Sequence, residues 1–125
     1  MSDWRLNGQG EYLSNRTLYK ITFPIFWEIA YRSKNVFFQK IERYAKLFVE
    51  TTNCGHEFLK GDKIQHFWHA HCEFCWEKAL TDKACTFYCT EDMDYWICEE
   101  CFHDFIEKFN WQEKAAEDLF PNLAL

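Results

Sequence analysis

The sequence predicts an α+β chain: a treble-clef-like zinc unit of knuckle, β-hairpin and helix, packed with a short sheet and one long helix. Three observations predict it. Cys72-Glu73-Phe74-Cys75 and Cys98-Glu99-Glu100-Cys101 are Cys-x-x-Cys pairs, and two such tight turns bring four thiolates to the corners of a tetrahedron, as structural zinc requires. Between them, residues 86–90 and 95–97 read as short strands around the turn Glu91-Asp92-Met93-Asp94. Finally, the apolar residues from Ile25 to Thr51 keep helical spacing.

From the N-terminus, residues 4–14 form an irregular or helical lead-in, with Gly8 and Gly10 as breakers. Residues 17–23 alternate, which predicts a strand with Tyr19, Ile21 and Phe23 toward the core. Pro24 stops that strand and suits the first turn of a helix. The line Phe26, Ala30, Ser33, Phe37, Ile41, Tyr44, Phe48 then advances by threes and fours. It predicts one long helix of roughly 40 Å, or two with a break near residues 33–35. Asn53 and Gly55 are suited to end it. Lys34, Lys40, Arg43 and Lys46 fall largely off the line, as a solvated face opposite a core face would.

Lys60-Gly61-Asp62-Lys63 is a turn signal, and residues 63–71 read as a strand into the first knuckle. After the second knuckle, Phe102, Phe105, Ile106 and Phe109 line one face of a helix. Cys98 and Cys101 thus fall at that helix's N-terminus, where free N–H groups and the dipole favour thiolate over thiol. Residues 112–120 are expected to add a short helical turn that Pro121 ends. The chain is read as one domain, 1–125, with the strand and long helix in 1–62 and the zinc unit in 63–125.

The metal ligands expected are therefore Cys72, Cys75, Cys98 and Cys101, holding zinc. Iron in a rubredoxin-like site is the rival, but such knuckles carry Gly or Pro beside the cysteines, where this chain has Glu73, Phe74, Glu99 and Glu100. Four thiolates close the shell and leave no position for substrate, which makes the zinc structural. A secondary set of metal or active-site candidates comprises His69, His71, Cys85, Cys89 and His103, with Cys54 and His66 as further partners. Clustered histidines beside a knuckle can ligate metal or act as a base. The competing reading is that they pack and hydrogen-bond in an aromatic-rich strand.

Composition narrows the class. Aromatics make up 20% of the chain, against only 4 Gly and 2 Pro, the opposite of a disordered balance. The net charge of -6 disfavours binding to nucleic-acid phosphates. No stretch approaches the roughly 20 apolar residues of a membrane span, and no signal-peptide core follows Met1. The expected home is the cytoplasm, whose reduced thiols suit metal ligation better than a disulfide framework. Named zinc chemistries fit poorly. The His-x-Glu of deaminases, the His-Glu-x-x-His of zincins and a Gly-rich phosphate loop are absent.

Trp4-Arg5-Leu6-Asn7-Gly8-Gln9, Glu11-Tyr12-Leu13, Thr17-Leu18, His71-Cys72-Glu73-Phe74-Cys75, Tyr88-Cys89-Thr90-Glu91-Asp92 and Trp96-Ile97-Cys98-x-x-Cys101-Phe102 form a motif set. It resembles that of a group of short, uncharacterised bacterial proteins, whose shorter members run from the first strand almost directly into the Cys-Glu-Phe-Cys knuckle. The resemblance implies a bacterial, cytoplasmic zinc protein, brings Cys89 near the metal and carries no catalytic residue.

Three functions follow, in order of support. The first is a zinc-stabilised, non-catalytic interaction or immunity-type protein, acidic and aromatic-rich, that covers a basic protein partner. The second is a metal-dependent hydrolase or nuclease using His69, His71 and His103. The third is a nucleic-acid-binding module using the basic helical face. So many aromatics also allow a homodimer surface.

Overall fold

The computed structural model describes residues 4–6, 10–52, 69–80 and 83–120. Two short 3-10 helices, Trp4–Leu6 and Glu11–Leu13, lead into strand β1, Thr17–Phe23. Helices α1, Ile25–Ser33, and α2, Val36–Thr52, follow. Then come strands β2, His69–His71, β3, Lys78–Leu80, β4, Cys85–Cys89, and β5, Trp96–Cys98. Helix α3, Glu99–Phe109, strand β6, Gln112–Ala115, and a single turn α4, Ala116–Leu119, complete the order. The result is mixed α+β with a four-stranded sheet in the order β5-β4-β1-β6 and a separate pair β2-β3.

Strand β1 lies inside the sheet because both its edges are paired. It runs antiparallel to β4, with Tyr19 opposite Cys89 and Phe23 opposite Cys85, and parallel to β6, with Thr17 opposite Gln112. Residues opposite one another share a face, so Ile21, Phe23, Phe87 and Trp96 point one way. The α1–α2 pair covers them: Phe23 meets Phe26 and Phe37 at 6.0 and 6.4 Å, and Phe37 meets Trp96 at 6.0 Å between ring centroids. The opposite face carries Tyr88, which stacks on Phe102 of α3 at 3.7 Å. Helices on both faces explain why Leu18, alternate to the expected core side, is also wholly buried.

The long helix is broken, at the second of the two readings. Lys34 takes the left-handed conformation at φ 53° and ends α1, its ammonium lying 4.7 Å over the Tyr31 ring and 4.2 Å over Phe38. Asn35 then accepts the Phe38 N–H at 3.0 Å, a side-chain cap that starts α2. Phe37 and Ile41 are buried as predicted, but within α2 the buried face then advances by four to Ala45 rather than by three to Tyr44, so the predicted core line is corrected after Ile41. Ala45 is wholly buried while Tyr44 is 54% exposed, and Ser33 is exposed as well. The basic face is largely solvated: Arg43 and Lys46 are exposed, and Lys40 reaches Asp94 at 2.6 Å.

Two further expectations are corrected. Residues 112–115 are strand rather than helix, because pairing with β1 satisfies their backbone groups. The β4 strand begins at Cys85 and the β5 strand at Trp96, one residue from each predicted start. Of the strand expected over 63–71, only His69–His71 falls within the described residues; the turn at 60–63, Asn53, Gly55 and Gly8 lie outside them. Phe102, Phe105 and Phe109 are buried on α3 as their spacing predicts.

Candidate metal centre

Three elements converge to build the site. The first knuckle follows β2 and folds back at once: the Cys72 N–H donates to the Glu77 carbonyl at 2.8 Å, and the Trp76 N–H to the Cys72 carbonyl at 3.1 Å. Cys72 is bridged to Trp96, and the Glu73 N–H donates to the Trp96 carbonyl at 2.8 Å, which clamps the knuckle to β5. Strand β5 ends at Cys98, and α3 begins there with Cys98 as its N-cap. Cys101 follows in the first turn. The fold thus carries the second pair directly against the first.

The four Sγ atoms of Cys72, Cys75, Cys98 and Cys101 all lie within 4.8 Å of one another. A Zn–S bond of about 2.3 Å places tetrahedral sulfurs about 3.8 Å apart, and Cys75 and Cys98 stand at 3.5 Å. Cys72, Cys98 and Cys101 are buried and Cys75 is half-buried. Backbone N–H groups point at the sulfurs: Phe74 donates to Cys72 and Cys101 to Cys98, each at 3.4 Å. These four side chains can hold a metal ion.

Electrostatics agrees with that chemistry. A hydrogen bond from Cys98 pulls the Cys72 thiol down to about 5, with backbone N–H groups of Cys75, Cys98 and Phe74 helping against burial. The same Cys72–Cys98 bond drives the Cys98 thiol up, and burial adds to it. Burial, followed by the Cys72 charge, pushes Cys101 up to about 12. One negative charge settles easily in the cluster and further ones repel it. A divalent cation is what allows all four to ionise together.

The secondary candidates are not drawn into this cluster. Among the described residues, no group of three or more ligating side chains contains His69, His71, Cys85, Cys89 or His103. His69 and His71 meet edge to face at 5.0 Å between ring centroids, and burial, then His71 and Lys78, lowers the His69 pKa. His71 Nδ1 lies 3.0 Å from the Trp76 carbonyl, within the knuckle turn. His103 is exposed, 5.5 Å from Phe102 at the edge of the Tyr88–Phe102 stack. Cys85 and Cys89 share one side of β4, paired with Phe23 and Tyr19. Burial, then the Asp92 charge, raises Cys89 to about 12, which makes it an inert core thiol. Cys54 and His66 lie outside the described residues.

Residues without a local motif complete the surroundings. Arg5 donates to Cys101 Sγ at 3.4 Å and to Asp104 Oδ2 at 3.0 Å, and its guanidinium carbon lies 4.4 Å over the Phe105 ring. Trp4, Trp76, Glu77 and Glu100 line an open groove together with Arg5, Cys75 and Cys101. Spacing could not have placed Trp4 and Arg5 there, because a knuckle motif records its own turn and not what a distant segment lays across it. No described helix is long and apolar enough to cross a membrane. Compared with protein-family models, curated proteins and solved structures, the chain matches none.

Proposed function

We propose that the four cysteines hold one structural zinc ion in a treble-clef-like unit, and that the protein works without catalysis, as an interaction or immunity-type protein in a reducing bacterial cytoplasm. The observation that carries this reading is the closed set of four thiol side chains within 4.8 Å. Such a shell leaves no open coordination position, so the metal's contribution is folding energy and a rigid surface. Glu73, Phe74, Glu99 and Glu100 between the cysteines favour zinc over a rubredoxin-like iron site. The order of knuckle, β4–β5 hairpin and α3 supports the treble-clef description. Cys72, Cys75, Cys89, Cys98 and Cys101 are thiols rather than disulfides, which agrees with a reducing compartment.

Elemental mass spectrometry on untagged protein, purified under reducing conditions, tests the reading against a Cys98→Ser variant. One zinc per chain is expected, lost in the variant together with near-ultraviolet circular dichroism. A chain that folds without metal, or a variant that keeps its zinc, overturns it.

A further inference from the structure

We propose that the groove beside the cysteine cluster binds a lysine or arginine side chain presented by a partner protein. The two most exposed large hydrophobic side chains among the described residues are Trp4, at 68%, and Trp76, at 66%, and both line this one groove of about 690 Å³. Tryptophan is highly buried on average, and aromatic residues left open on a surface concentrate where partners bind. Trp76 is moreover held in the left-handed backbone region, at φ 67°. A bulky residue rarely stays there unless its surroundings enforce it. Here the knuckle does so, through the Trp76 N–H bond to Cys72 and the His71 contact with the Trp76 carbonyl. The indole is therefore presented by the cysteine turn itself.

Charge selects the occupant. Glu77 and Glu100, both exposed, line the same groove. Arg5, the one cation among the described residues that line it, is already drawn away: its side chain is 16% exposed, paired with Asp104 and laid over Phe105. Indole faces with flanking carboxylates attract a cation, since the ring quadrupole presents its negative face and the carboxylates add charge. A phosphate would meet Glu77 and Glu100 as like charges, and the whole chain, at -6, repels it further. The groove rests on the interaction reading above, and it names the chemistry of the partner that reading requires.

The test uses the zinc-loaded full chain and fluorescein-labelled hexalysine, hexa-arginine and hexacitrulline, followed by anisotropy at physiological ionic strength. A cationic peptide is expected to bind and hexacitrulline not. Trp4→Ala/Trp76→Ala, which leaves the net charge unchanged, should weaken binding about tenfold, and Glu77→Gln/Glu100→Gln should weaken it as well. In the wild-type protein the indole N–H resonances of Trp4 and Trp76 should shift on titration, which keeps the test open even if the double variant folds poorly. Equal binding by the tryptophan variant, unmoved indole resonances, hexacitrulline binding as well as hexalysine, or tryptophan-dependent binding of single-stranded DNA instead would each overturn the proposal. Zinc content, measured on the same samples, separates failure of the groove from failure of the metal reading.

Discussion

Arg5 Nη1 donates to the Sγ of Cys101 at 3.4 Å across 96 positions of sequence, tying the first short helix to the second knuckle. The same side chain pairs with Asp104 and covers Phe105. Arg5→Ala should therefore cost about 1.5–3 kcal/mol, the range for a hydrogen bond to a charged group. It should also speed metal transfer to a colorimetric chelator. Urea midpoints and chelator kinetics that match the wild type would show that Arg5 merely rests on the site.

Gly10 stands at φ 99°, where an added Cβ would lie 2.6 Å from Phe74 Cε1 and 2.9 Å from Phe109 Cζ. Both rings are buried in the aromatic core and cannot swing aside. Gly10→Ala combines backbone strain with overpacking and should destabilise by about 1–3 kcal/mol. Thermal unfolding reads this directly, and a melting temperature equal to wild type would contradict it.

Asn35 caps α2 through Oδ1, while its Nδ2 is buried among the described residues with no hydrogen-bond partner. Asn35→Ala removes the cap and should cost about 1 kcal/mol. Asn35→Ser keeps an acceptor and deletes the unsatisfied donor, so it should match or exceed the wild type in chemical denaturation. An alanine variant as stable as the wild type would mean that the cap contributes nothing.

Cys89 keeps its proton more tightly in the folded chain, with a pKa raised from 9.0 to about 12 by burial, then by Asp92, and countered by Lys40. The sign follows from linkage: a raised folded value contributes stability fully present below 9.0 and lost as pH climbs toward 12. The wild-type urea midpoint should fall more steeply in the alkaline range than that of Cys89→Ala, and iodoacetamide should modify Cys89 only on unfolding. Part of the alkaline slope will survive in the variant, because burial, then Glu113 and Glu99, also lifts Tyr88 to about 12. Parallel slopes, or rapid labelling of folded protein, would refute the assignment.

The features legible in the amino-acid order are local ones. Two Cys-x-x-Cys turns, the alternation of residues 17–23 and the α3 face of Phe102, Phe105 and Phe109 each rest on backbone geometry within a few residues. Even the break between α1 and α2 is legible in part, as one of two readings of residues 33–35. The step beyond Ile41 is not, because a helical period admits either Tyr44 or Ala45 and only the packing of α2 against its neighbours selects Ala45. The secondary histidine and cysteine candidates group together in sequence because they are close along the chain or share a ligating chemistry, and neither property brings side chains to a common point.

Sequence by itself thus determined which four cysteines cluster and the elements that carry them, since a side chain's face follows from a period of two or 3.6. Tertiary structure alone decided that β6 pairs with β1, that helices cover both sheet faces, and that Arg5 reaches Cys101. It also decided that Trp4 and Trp76 border one groove. The β1–β6, Arg5–Cys101 and Trp4–Trp76 relationships join segments about 70 to 100 positions apart, and no local period encodes which exposed faces and unpaired edges remain for one another once the elements have formed.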